Sequence, residues 1–225
     1  MTTPEYAEIE KTTYGFWDIL AWFASFVFHP LLMPTYLYLI GSFGVQGFVY
    51  QQEGNWWQLL QFLFTITFAI PGLIILLLRR LNMIKSITLD LQTDRPLPMF
   101  LTALVYAVSI FLMQGSFILN LDMLVILACV TLTILVAALI SLFVKISAHA
   151  IGTAGTLTYI LLLAYKYPEN NLLPLAVLAA LAWGLTMAAR LQLGAHTQAQ
   201  VWWGSALATV LGGGMFYIFS WGLYL

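Results

Sequence analysis

Between Asp122 and Lys145 the chain reads MLVILACVTLTILVAALISLFV, twenty-two residues without a charge. An α-helix needs about 20 predominantly apolar residues to cross the hydrocarbon core of a bilayer, so this stretch predicts a transmembrane helix. Its apolar residues are continuous and do not alternate, which argues against a membrane β-strand. Charge-poor runs extend on both sides, at 19–52, 54–78, 96–121, 146–165, 170–189 and 197–225. The 225 residues are 62% hydrophobic and 8% charged, against about a quarter charged in a soluble domain. These observations predict an all-α, polytopic transmembrane bundle of about six to seven spans. It forms one domain over 15–225 after a polar tail at 1–14.

The connections are too short for a soluble domain. The net charge of −1 says nothing about partners; nothing in the sequence resembles a nucleic-acid patch, so no nucleic-acid partner is expected and the bilayer is the expected surroundings. Cys129, the single cysteine, has no intrachain partner for a disulfide. The stretch Met1 to Lys11 is acidic and lacks the basic start of a cleaved signal peptide, so the first apolar segment is expected to stay in the membrane. That segment contains His29-Pro30 and Pro34. Proline removes a backbone donor and kinks a helix, which leaves a bent crossing and a re-entrant entry as alternatives.

Three polar clusters interrupt the apolar runs: Asp94-Arg95-Pro96, Lys145-Ile146-Ser147-Ala148-His149, and Arg190 with His196 and Gln200. Two runs separate the first cluster from the second, and two more separate the second from the third. If each run crosses the membrane, all three clusters return to one face, where their side chains can meet. Ionisable residues at such positions are functional candidates, because an unpaired charge at a bilayer edge is costly.

The residue types suit phosphate ester chemistry. An imidazole can attack phosphorus and form a covalent intermediate, while a second protonates the leaving oxygen and then activates water. Fixed cations neutralise the phosphoryl oxygens, and arginine can bind two at once. His149 opens the fifth run, Arg190 closes the sixth, and His196 and Gln200 share a helix face at i, i+4. Lys145 and Ser147 stand beside His149. Two histidines with no carboxylate or thiolate at ligand spacing make a poor metal site, and no cofactor is expected.

Arg190-x5-His196-x3-Gln200 resembles the third signature of the type 2 phosphatidic acid phosphatase superfamily, Arg-x5-His-x3-Asp. Ser147-Ala148-His149 resembles its second, Pro-Ser-Gly-His, and Asp94-Arg95-Pro96 resembles the end of its first, Lys-x6-Arg-Pro. The resemblance covers residues 79–204. In addition, Phe28-His29-Pro30-Leu31-Leu32-Met33-Pro34 resembles a stretch of small phosphatase-related membrane proteins of the Bacteroidetes type. The resemblance implies a metal-independent phosphatase acting on a membrane lipid phosphate, in a bacterial inner membrane. His196 would be the nucleophile, oriented by Gln200, and His149 the general acid. Arg95, Arg190 and Ser147 would bind phosphate; Lys145, outside the matched signatures, is a further cation available for it.

This chain has Thr88 where the family has the lysine of its first signature, Ile146 and Ala148 for proline and glycine, and Gln200 for aspartate. Two alternatives follow. One is a catalytically impaired relative that binds lipid phosphate or is structural. The other is a prenyl transferase-like membrane enzyme, prompted by Asp90-x3-Asp94. The positive-inside rule would turn the clustered face to the cytoplasm, but Arg95, Lys145 and Arg190 also serve the chemistry, so the facing stays open.

Overall fold

The computed structural model describes residues 15–45, 56–113 and 121–222. The polar tail at 1–14, including Lys11, lies outside the described residues. Among the described residues every regular element is helical. Seven segments are long and apolar enough to cross a membrane, which makes the chain an integral, all-α polytopic bundle.

The first segment is α1 (Phe16–Val27) and α2 (Met33–Gly44), joined through a short 3-10 turn at Pro30–Leu32. The second is α3 (Trp56–Phe64) and α4 (Ile70–Arg80), joined by a π turn at Thr65–Ala69. Single helices follow: α5 (Pro96–Met113), α6 (Leu121–Ile140), α7 (Ala148–Lys166) and α8 (Leu173–Gln192). The last segment is α9 (Gln198–Leu207) and α10 (Gly214–Gly222), again joined by a π turn, at Ala208–Gly213.

The first segment is one bent crossing. Near its start, Gln192 at the end of α8 donates to Asp18 Oδ1 at 3.1 Å. At its other end, a Cβ on Gly44 would press on Leu172 and Leu175, where α8 begins. The segment therefore runs antiparallel to α8 from end to end, with its break at His29-Pro30. The freed backbone there is satisfied locally, since Leu31 N–H donates to His29 Nδ1 at 3.3 Å. The π turn of the second segment finds its partner on α5, where the Tyr106 hydroxyl donates to the Thr67 carbonyl at 2.9 Å.

α7 is the central helix and packs against α2, α6, α8 and α9. Large side chains fill the core towards its C-terminal end, among them Met123, Ile126, Ile160, Leu163 and Phe216. Towards its N-terminal end the core narrows to Ala137, Ala154 and Ala208 with Ile146 and Ile151. Small residues let membrane helices approach closely, so the polar ends of α7, α8 and α9 meet where side chains are smallest.

Gly204 sets the closest of these approaches. A Cβ there would stand 2.7 Å from the carbonyl oxygen of Ser147, a backbone atom that cannot swing aside. Gly204→Ala is therefore expected to destabilise the fold by about 1–3 kcal/mol through overpacking. That exceeds the ~1 kcal/mol alanine gains in helix propensity, and thermal unfolding in detergent measures the difference.

Candidate functional site

The three polar clusters meet at one end of the bundle. α8 ends at Gln192, and the chain turns through Gly194 in the left-handed region, φ +63°. Glycine takes that conformation without a Cβ penalty. Ala195 N–H returns to the Arg190 carbonyl at 3.1 Å, and the turn sets His196 over the end of α8. Thr197 then caps α9: Gln200 N–H donates to Thr197 Oγ1 at 3.4 Å, and Thr197 N–H donates to Gln200 Oε1 at 3.2 Å. This is the reciprocal capping arrangement expected of a threonine followed three residues later by glutamine.

The capping box fixes the chemistry of His196. A backbone N–H can only donate, so the amide atom facing Thr197 is the oxygen of Gln200. The same oxygen lies 3.0 Å from His196 Nδ1, so Nδ1 carries the proton and donates. Nε2 is left with its lone pair, directed at Arg95 Nη2, 3.4 Å away. Gln200 thus holds the tautomer an aspartate would hold, without supplying a negative charge.

Arg95 is anchored on two sides. Its Nε donates to the carbonyl of Leu89 at 2.9 Å and its Nη1 to the carbonyl of Ile146 at 2.6 Å. Leu89 presents that carbonyl from the left-handed region, φ 54°, an uncommon conformation for a residue with a side chain. Arg190, on the last turn of α8, donates from Nη1 to Ser25 Oγ on α1 at 3.5 Å, and its buried Nε has no partner. Arg95 and Arg190 are only 6% and 7% exposed. Their charges act on one another and on that of Asp90, which itself accepts from the Ser86 and Thr88 hydroxyls.

His149, on the first turn of α7, points its Nε2 at the Ser25 carbonyl, 3.1 Å away. A carbonyl only accepts, so Nε2 carries the proton and Nδ1 is the basic nitrogen. The ring of His29 stands edge-on to His149, with centroids 5.4 Å apart. The charge of Arg190 acts on His29, His149 and His196 alike, and that of His196 acts on His149.

The sequence-based candidates His196, Gln200, Arg95, Arg190 and His149 are therefore brought together. Lys145 lies close enough for its charge to act on His196. Ser147 is fully buried: its hydroxyl oxygen accepts Ala150 N–H at 3.3 Å, and its own N–H donates to the Gln200 carbonyl at 3.2 Å. It caps α7 and ties α7 to α9. Asp94 accepts the backbone N–H groups of Lys85 and Ser86 at 2.7 and 3.2 Å and so folds the loop that carries Arg95. The partners of His196 are Gln200 and Arg95. Among the described residues no three His, Cys, Asp or Glu side chains gather where they could hold a metal ion.

Two participants were hidden from sequence reasoning. Ser25 is a lone serine in an apolar run, and nothing local marks it. His29 stands beside Pro30 and accepts the Leu31 N–H, and its meeting with His149 has no local signal.

Burial, and after it the guanidinium of Arg95, hold the His196 imidazole down to about 3 from its ordinary 6.5; the hydrogen bond with Gln200 opposes this, and Arg190 and Lys145 add to it. The folded-state value lies below the unfolded one, so between these values the unfolded chain binds more protons and stability rises with pH. Acidification from pH 6.5 towards pH 3 is expected to lower the melting temperature. His196→Asn, which does not titrate, is expected to flatten that fall, measured in detergent over the same range.

Comparison with models of known protein families, with characterised proteins and with solved structures gives no match.

Proposed function

We propose that this membrane protein hydrolyses a phosphomonoester or pyrophosphate of a membrane lipid, without a metal, through a phosphohistidine at His196. The observation that carries this reading is the His196 imidazole, with Nδ1–H fixed by Gln200 Oε1 and the Nε2 lone pair facing Arg95 Nη2. A neutral imidazole whose Nε2 lone pair is held by a buried guanidinium supports a phosphoryl acceptor, since a phosphoryl group entering there would exchange the Arg95 contact for one to its own oxygens. The unpartnered Nε of Arg190 adds support, because a buried donor left without an acceptor costs about 1–3 kcal/mol. A phosphoryl oxygen would satisfy it.

In this reading Nε2 attacks phosphorus as the bond to the lipid oxygen breaks. His149 Nδ1 takes the proton that the phosphate monoanion carries and passes it to that oxygen, its Nε2–H staying held by the Ser25 carbonyl. Arg95 and Arg190 hold the phosphoryl oxygens, with Lys145 adding positive charge nearby. Water, deprotonated by His149, then attacks the phosphohistidine, releasing phosphate and restoring the imidazole. The prenyl transferase reading needs Asp94 free for magnesium, whereas Asp94 Oδ2 accepts two backbone N–H groups.

Gln200 favours the second reading, a relative that binds lipid phosphate with reduced turnover, because it brings no charge to the imidazolium-like transition state. Replacing the corresponding acid by an amide costs serine proteases about 10⁴ in kcat, mainly through the wrong tautomer. Here the capping box already secures the tautomer, so only the charge is missing. Gln200→Glu keeps the length and both acceptor contacts, and is expected to raise phosphate release about 10- to 100-fold, within the usual 1–3 kcal/mol of a charge-assisted hydrogen bond. The test is phosphate release from a panel of lipid phosphates in nanodiscs, with and without chelator, wild type beside Gln200→Glu. No release from either protein would reject the hydrolase reading.

A further inference from the structure

An apolar groove of about 290 Å³ runs between α2, α7 and α8, lined by Phe28, Met33, Thr153, Leu178 and Ala182 among others. One end of it adjoins the site. Phe28 precedes His29, and Thr153 lies one turn beyond His149 and donates its hydroxyl to the His149 carbonyl at 2.9 Å. From there the groove follows α8 back to Leu175, towards the opposite face.

The polar side chains in the lining present no polar group to the groove that lacks a partner. The hydroxyl of Thr153 goes to His149, that of Thr156 to the Gly152 carbonyl at 2.9 Å, and that of Tyr36 to the Val27 carbonyl at 3.0 Å. What remains is a hydrocarbon surface whose near end adjoins His29 and His149 through Phe28 and Thr153. At 290 Å³ the groove lies at the small end of ligand pockets, roughly 300–1,000 Å³, which suits one chain and not two side by side.

We propose that this groove is the tail subsite: it holds one hydrocarbon chain of the lipid whose phosphate sits between Arg95, Arg190 and His196. The inference rests on the phosphate reading of the site, but it concerns binding, and its test does not require turnover. The full-length protein in nanodiscs is photolabelled with a long-chain alkyl phosphate bearing a diazirine on the chain, beside the alkyl alcohol of the same length.

The expected result is that the phosphate probe labels α2, α7 and α8 lining positions well above the alcohol, and that a shorter-chain alkyl phosphate competes less well than one of matching length. Ala182→Trp, which fills the groove, is expected to weaken labelling at least about tenfold, since even one methylene in a fitted apolar pocket is worth 10–200-fold. Equal labelling by phosphate and alcohol would overturn the proposal and mark the groove as ordinary lipid-facing surface. Phosphate-dependent labelling confined to other helices would overturn it too. The wild-type probe comparison stands even if Ala182→Trp fails to fold. Groove labelling without phosphate release would instead reject only the hydrolase reading.

Discussion

His196→Ala is expected to lower phosphate release from a lipid phosphate by about 10⁴-fold or more, the scale of loss when a covalent nucleophile is removed. In this reading His149 does not take its place, because its Nδ1 serves the proton transfers while its Nε2–H is engaged by the Ser25 carbonyl. Removing the ring also leaves Arg95 Nη2 and Gln200 Oε1 without their partner, but Gln200 still caps α9 through Thr197. The protein should therefore fold. Three measurements check this together: phosphate release, the melting temperature in detergent, and transfer of labelled phosphate to the chain. Transfer should be acid-labile and alkali-stable in wild type and lost in the variant. Undiminished release from a folded His196→Ala would remove His196 from the reaction.

The contrast between what the sequence announced and what it concealed follows from which interactions are local. Continuous apolar runs flanked by charges are one-dimensional signals, so the spans were legible, and the even number of crossings grouped Arg95, His149 and His196 on one face. The tautomer of His196 was also within reach, because the Thr197-x2-Gln200 box is a local pattern whose geometry dictates where the amide oxygen points. Ser25 was not legible. Its importance comes from α1 lying beside α8 and the start of α7, a packing result that no spacing within the apolar run expresses. Asp90 and Asp94 were ambiguous in sequence, and the fold separates them. Asp94 closes its own loop through backbone N–H groups, and Asp90 balances the charge of the two arginines. Gly212 and Gly213 leave no room for a Cβ against Tyr159 and Thr158, while Gly214 faces open space.

The parity that groups the clusters also places Asp122 and Lys166 together at the far end of the bundle. Asp122 is fully buried on the first turn of α6, and Lys166 Nζ lies 2.6 Å from its Oδ1. The Tyr167 hydroxyl donates to Oδ2 at 2.5 Å, and the Ser220 hydroxyl to Oδ1 at 2.7 Å. One carboxylate thus joins α6, α7 and α10 where the large side chains of the core pack. Asp122→Ala is expected to destabilise the protein by about 3–5 kcal/mol, because removing one partner strands the other charge in a low-dielectric setting. Lys166→Met should cost less than Asp122→Ala, since Asp122 keeps two hydroxyl donors. The double replacement should recover part of the loss, as expected when both members of a buried pair go together. Thermal unfolding of the four proteins in detergent forms the cycle. Equal and additive losses would reduce the pair to an independent surface contact. Because this network lies at the other end of α7 from His149, stability lost here should leave the chemistry of the folded fraction unchanged. Phosphate release per folded molecule, measured well below the melting temperature, is the quantity that separates the two ends of the bundle.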